Sequence, residues 1–195
     1  MTSAAEGSGR RRSAVFVAKF AVLLVVFYFG VAWRPVNDAL VVPFTAGIAR
    51  VSAAILRVLG EDVAVSGTEI RSARFAVNIE NGCNGVETAL LFGAAVLAFP
   101  APWRRRLLGL AIGFAAIQAI NLVRVVSLFW IGAHRPAMFN ASHTVLWQSI
   151  VVLCGVLLFL AWATREQRAR VAAPVDAGGK GGRRRREEHG PRRRR

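Results

Sequence analysis

Apolar residues in this chain are gathered into blocks of about 20, and that grouping limits what the chain can become more than any motif does. A helix of about 20 residues matches the ~30 Å hydrocarbon core of a bilayer. With 54% hydrophobic residues arranged this way, the chain reads as an integral membrane protein rather than a soluble domain. The expected fold class is all-α, with about four transmembrane helices, an extracytoplasmic interfacial helix and a short possible β-hairpin. The blocks predict spans over residues 14–33, 86–99, 107–132 and 143–163.

Charge placement supplies the orientation. The formal net charge is +15, but the basic residues concentrate in two tails, 1–13 and 164–195, and in the short run Arg104-Arg105-Arg106. Lysine and arginine collect on the cytoplasmic side of membrane helices, so both tails and that run are placed in the cytoplasm. The tails read as disordered extensions that touch anionic lipid. Nucleic-acid binding is excluded, because no aromatic interleaving or recognition motif accompanies the arginines. Gly30-Val31-Ala32 loosely imitates a cleavage site, yet the apolar run before it is too long for a signal peptide.

Between the first two spans the pattern changes. Pro35 breaks the helix, Asn37 or Asp38 can cap the next, and Phe44, Ile48, Val51, Ile55 and Val58 recur at helical spacing, with Arg50 and Arg57 off that stripe. This predicts an amphipathic helix along the membrane surface to about Leu59. Beyond Gly60, Val63 and Val65, then Phe75, Val77 and Ile79, alternate with polar or small residues around a turn near Gly67, which predicts the hairpin.

The hairpin delivers the chain to Asn81-Gly82-Cys83-Asn84-Gly85-Val86-Glu87, where a thiol stands at the start of an apolar helix. Free N–H groups and the helix dipole there favour thiolate, and Gly82 and Gly85 let a second backbone come close. Cys154 lies inside another apolar block, so a disulfide with Cys83 is not expected. Arg124 interrupts the third span, where a charge costs about 2.5–3.5 kcal/mol and usually marks function. Asn121, three residues earlier on the same face, is placed to orient the guanidinium, and Gln118 continues the polar stripe. His143 opens the fourth span as a proton acceptor; His134, beside Arg135 and Pro136, ranks second, and His189 lies in the cytoplasmic tail. Cysteine, histidine and a fixed cation together suffice for acyl transfer. No metal-ligand cluster occurs and no cofactor is required.

The blocks Asn81-Gly82-Cys83-Asn84-Gly85-Val86-Glu87, Asn121-Leu122-Val123-Arg124-Val125-Val126 and His143 with Trp147 resemble the exosortase/archaeosortase family of membrane cysteine transpeptidases. The resemblance covers about residues 14–163, and Phe99-Pro100-Ala101-Pro102-Trp103 looks most like the exosortase H branch. It implies catalytic Cys83, Arg124 and His143, with Asn84, Gly85 and Asn121 in structural or orienting roles. It also implies partners: secreted proteins carrying a C-terminal sorting signal made of a short motif, a transmembrane helix and a basic tail. The implied location is the bacterial inner membrane, with both termini cytoplasmic and the active site facing outward. Glu80 and Glu87 are both available as a carboxylate for His143. Two other classes fit the composition: a non-enzymatic scaffold or helper subunit of an envelope or exopolysaccharide assembly system, and a small transporter using Gln118, Asn121 and Arg124 as a polar path.

Overall fold

The computed structural model describes residues 2–172. Helix α1, Thr2–Ala32, runs back through Arg10-Arg11-Arg12, where a disordered tail was expected. Pro35 opens a second helical stretch: α2 (Arg34–Val36), a π-helical turn (Asn37–Val41) and α3 (Val42–Val58) follow without interruption. Three short strands come next, β1 (Ala64–Ser66), β2 (Glu69–Arg71) and β3 (Ala76–Asn78), then α4 (Val86–Ala98) and α5 (Trp103–His134). The last stretch joins α6 (Pro136–Ala141), a second π-helical turn (Ser142–Trp147) and α7 (Gln148–Val171).

Among the described residues, four helical stretches are long and apolar enough to cross a membrane: Gly9–Ala32, Arg34–Val58, Trp103–His134 and Pro136–Val171. The number agrees with the expectation, and two stretches stand out by length and hydropathy. Arg34–Val58, expected to lie along the surface, passes the length and hydropathy test, whereas α4, expected to span, has only 13 residues. At 1.5 Å per residue α4 is about 20 Å long, short of a ~30 Å core. Its neighbours hold it: α1, α5 and α7 all pack against it.

The strands form an antiparallel meander in the order β1-β2-β3, not a single hairpin. Gly67 takes φ +59° in the two-residue turn between β1 and β2, the left-handed conformation such turns demand. Strand β2 was missed because charged Glu69 and Arg71 flank its one apolar residue, Ile70, which is fully buried. Ile70 joins Val63 and Ile79 against Ile48, Ala49, Ala53 and Leu56 of α3 and Val125 and Phe129 of α5. Arg57 ties the end of α3 to the sheet, donating from Nε and Nη2 to the Val63 carbonyl at 3.1 and 2.9 Å. Open strand edges are not tolerated in hydrocarbon, so this sheet-bearing end lies outside it.

At the other end, α4 stops at Pro100, and Phe16, Phe99, Phe159 and Trp162 stack into an aromatic cluster joining α1, α4 and α7. Helix α7 continues beyond residue 163, the expected end of the span, and Glu166 accepts a 3.2 Å bond from Arg105 of α5. The expected loop over residues 133–142 is mostly helix, broken only at Arg135. Of the Gly- and Arg-rich tail, residues 173–195 and the arginine runs within it lie outside the described residues.

Candidate active site

The loop that carries Cys83 is fixed by two glycines and a set of hydrogen bonds. Gly82 and Gly85 have φ +87° and +76°, conformations that side-chain-bearing residues rarely adopt. The Gly82 N–H donates to Glu87 Oε1 at 2.7 Å, the Cys83 N–H to the Glu80 carbonyl at 2.9 Å, and the Val86 N–H to Asn84 Oδ1 at 3.0 Å. Asn84, fully buried, also donates to Thr45 Oγ1 at 2.9 Å, which anchors the loop to α3. A Cβ on Gly85 would meet Asn121 and Gln118 at 3.1 Å, whereas one on Gly82 would meet nothing within 4 Å. The room for an approaching backbone is therefore at Gly82; the bare face of Gly85 serves packing on α5.

Three side chains from distant parts of the sequence converge here. Cys83 Sγ lies 3.0 Å from His143 Nε2, and Arg124 Nη2 lies 3.6 Å from the same sulfur. Arg124 Nη1 donates to the Gly82 carbonyl at 3.3 Å. The guanidinium thus bridges the loop and the thiol from a position only 2% exposed. His134 goes elsewhere: its ring stacks on Trp130, Nδ1 is 3.0 Å from the Trp130 carbonyl, and Nε2 is 3.5 Å from Glu61. Cys154 is a free thiol, as is Cys83.

The electrostatics of the thiol differ from the expectation. Burial pushes the Cys83 thiol up, the Arg124 guanidinium pulls it down, and the Glu87 and Glu80 carboxylates push it up again. The physical reason is local. The Val86 N–H at the start of the helix is already bonded to Asn84 Oδ1, Cys83 sits before it with its own N–H committed to the Glu80 carbonyl, and the Glu87 and Glu80 carboxylates act on the sulfur. Cys83 Sγ and His143 Nε2 lie within proton-transfer distance of each other.

Asn121 makes no hydrogen bond to Arg124. It is fully buried, and its amide, like that of Gln118, has no hydrogen-bond partner among the described residues; both pack under Gly85. Glu87 is engaged by the Gly82 N–H, so that carboxylate holds the cysteine loop. Among the described residues no group of three metal-ligating side chains occurs.

Sequence reasoning overlooked the aromatic support of His143. Phe139 stacks on the His143 ring at 5.7 Å with planes 5° apart, and Phe75, from the turn before β3, packs on Phe139 at 5.1 Å. Gly132 admits Phe75, since a Cβ there would strike its ring at 2.3 Å. The signal was partly available: Phe139 and His143 are four residues apart, the spacing that brings helical side chains together. His143 itself lies in the π-helical turn, a distortion that recurs at functional sites.

A thiol, an imidazole and a guanidinium in mutual reach can perform acyl transfer at a carbonyl. Neither a curated protein nor a solved structure matches the chain significantly. The model of the transmembrane exosortase family does match, over residues 8–163, a stretch that includes all three converging side chains, and the chain belongs to that family.

Proposed function

We propose that this protein is a membrane cysteine peptidase or transpeptidase that removes the C-terminal sorting signal of secreted proteins through a thioester. The observation that carries the reading is the pairing of Cys83 Sγ with His143 Nε2 at 3.0 Å, beside the Arg124 guanidinium. Neutral His143, protonated at Nδ1, takes the thiol proton on Nε2, and Sγ attacks the scissile carbonyl carbon. The resulting oxyanion is stabilised by Arg124, whose charge is worth most where water is excluded. As the C–N bond breaks, His143 Nε2 returns the proton to the departing amine, leaving an acyl thioester on Cys83. An amine or hydroxyl of an envelope component, or water, then attacks, giving a proton to His143, and collapse breaks the C–S bond and restores the thiol.

The placement proposed for this chemistry is the bacterial inner membrane, with the 1–13 and 164–195 segments cytoplasmic and the sheet end outward. Membrane-embedded substrates suit the site, because a substrate's own span can dock beside α4, α5 and α7 and present its preceding segment to Cys83. Asn84 and Gly85 shape the loop, and Asn121 supports it from below.

The test is co-expression of a secreted protein bearing a motif, an apolar span and a basic tail with the wild type, Cys83→Ala and Arg124→Ala, followed by gel analysis and mass spectrometry. Loss of tail removal in both variants, at normal membrane abundance, is expected, and the new C-terminal mass identifies the acceptor. Cleavage that persists in Cys83→Ala overturns the mechanism. Tolerance of Cys83→Ser with failure of Arg124→Ala instead supports a scaffold.

A further inference from the structure

At the end of the bundle away from Cys83, α1, the end of α4 and α7 enclose a cavity of about 950 Å³ into which Arg11, Arg12, Lys19 and Arg170 all face. None of the four has a carboxylate partner among the described residues. The cations are not scattered. Arg12, Phe16 and Lys19 follow one another at helical spacing along one face of α1, and Arg170 closes the cavity from α7 over the ring of Phe99 at 5.9 Å. The remaining wall is apolar, formed by Val15, Phe16, Ala98 and Pro100.

A second cavity begins where the first ends. It is a slot of about 170 Å³ between α1, α4 and α7, lined by Phe20, Leu91, Phe92, Val156 and Phe159, and Phe16 borders both cavities. The slot is too small for a helix, and its lining carries no charged or polar side chain. Four cations with no carboxylate partner among the described residues, leading into an apolar slot, match a ligand with a phosphate at one end and an acyl chain at the other. A zwitterionic headgroup would bring its own cation into a cluster that, among the described residues, has no carboxylate to receive it.

We propose that this double cavity is a binding site for an anionic phospholipid. The phosphate is held by Arg11, Arg12, Lys19 and Arg170, and one acyl chain runs past Phe16 into the slot against α4. Such a lipid clamps α1 and α7 onto α4, the helix too short to be held by the bilayer alone. The site is independent of the acyl-transfer chemistry and is tested without it.

Native mass spectrometry of the detergent-solubilised full chain reads the site directly, using an equimolar mixture of phosphatidylglycerol and phosphatidylcholine with identical chains. Retention of phosphatidylglycerol over phosphatidylcholine is expected in the wild type. Each single change, Arg12→Gln, Lys19→Gln or Arg170→Gln, should lower that retention about fivefold, the effect of one cation near an anionic headgroup. The Arg11→Gln/Arg12→Gln/Lys19→Gln/Arg170→Gln variant should lose the preference, with an unchanged far-UV spectrum showing that it is folded. Val156→Trp, which fills the slot from an exposed position, should weaken the intact lipid while leaving competition by glycerol phosphate unaltered.

Three results overturn the proposal. One is undiminished retention in the fourfold variant. Another is loss of the preference in Arg183→Gln/Arg184→Gln/Arg185→Gln/Arg186→Gln, which would assign it to the tail. The third is displacement of the lipid by inorganic phosphate at equal concentration, which would make this a free-phosphate site.

Discussion

At the sheet end of the molecule Arg124 is 2% exposed, donates to the Gly82 carbonyl and faces the Cys83 thiol; at the opposite end Arg11, Arg12, Lys19 and Arg170 are exposed around a cavity with no carboxylate beside them among the described residues. The first end withdraws one cation from water and holds it by protein atoms. The second leaves four in contact with their surroundings. A desolvated charge acts strongly on its neighbours, and its position must be fixed by packing. Solvated charges act weakly one by one and work as a group on whatever anion arrives. The same residue type thus serves chemistry at one end and attachment at the other.

Replacing Arg124 with lysine is the harshest test of this contrast. Lysine keeps the charge but cannot bridge the Gly82 carbonyl and Cys83 Sγ with a planar fork, so tail removal should fall about 10²- to 10³-fold. Near-normal turnover in Arg124→Lys would show that a cation alone is enough.

Gly85→Ala ranks next. It combines a φ of +76° with a Cβ 3.1 Å from Asn121 and Gln118, and should destabilise the protein by about 1–3 kcal/mol. Gly82→Ala, with a φ of +87° and open space, should be the milder of the two in thermal melts, and the reverse order would mean that the loop is mispositioned.

Smaller still is the response of the thiol to pH. Because burial and the Glu87 and Glu80 carboxylates raise the Cys83 thiol against the opposing pull of Arg124, alkylation by iodoacetamide should be slow at neutrality and climb only above the ordinary thiol range. Glu87→Gln keeps an acceptor for the Gly82 N–H while removing one of the raising charges. It should therefore shift the alkylation profile to lower pH, and a shift to higher pH would contradict the assignment. At the far end, Arg105→Gln breaks only the partly exposed bond to Glu166, and should change stability by less than about 1 kcal/mol.

The features that the sequence made legible are those with a large free energy behind them. An arginine inside an apolar block had to face protein, and it does. Long apolar helices had to appear, and four candidates do. His143 and His134 were separated by their neighbours, Arg135 and Pro136, and the structure sends one to Cys83 and the other to Glu61.

What escaped were the decisions made by contacts across the chain. Strand β2 looks polar because its flanks face water while Ile70 alone faces α3. The thiol's environment depends on Glu87, a residue that only the folded loop turns back to the Gly82 N–H. Asn121 shares a helix face with Arg124, yet the rotation of α5 sends it under Gly85. Phe75 reaches Phe139 through space left by a glycine 57 positions further on, Gly132, which no local pattern announces.

The brevity of α4 also makes it a ruler. Its thirteen residues rise about 20 Å, less than a ~30 Å core, so the loop that carries Cys83 is held at a fixed length from the proline stop by protein rather than by the width of a bilayer. Buried Asn84 and Arg124 tie that loop to α3 and α5. A chain coming to this thiol must bring its unpaired backbone to that level, beside the sheet and outside the hydrocarbon. Where its helix ends, measured along the membrane normal, is then as much a part of recognition as the side chains it bears.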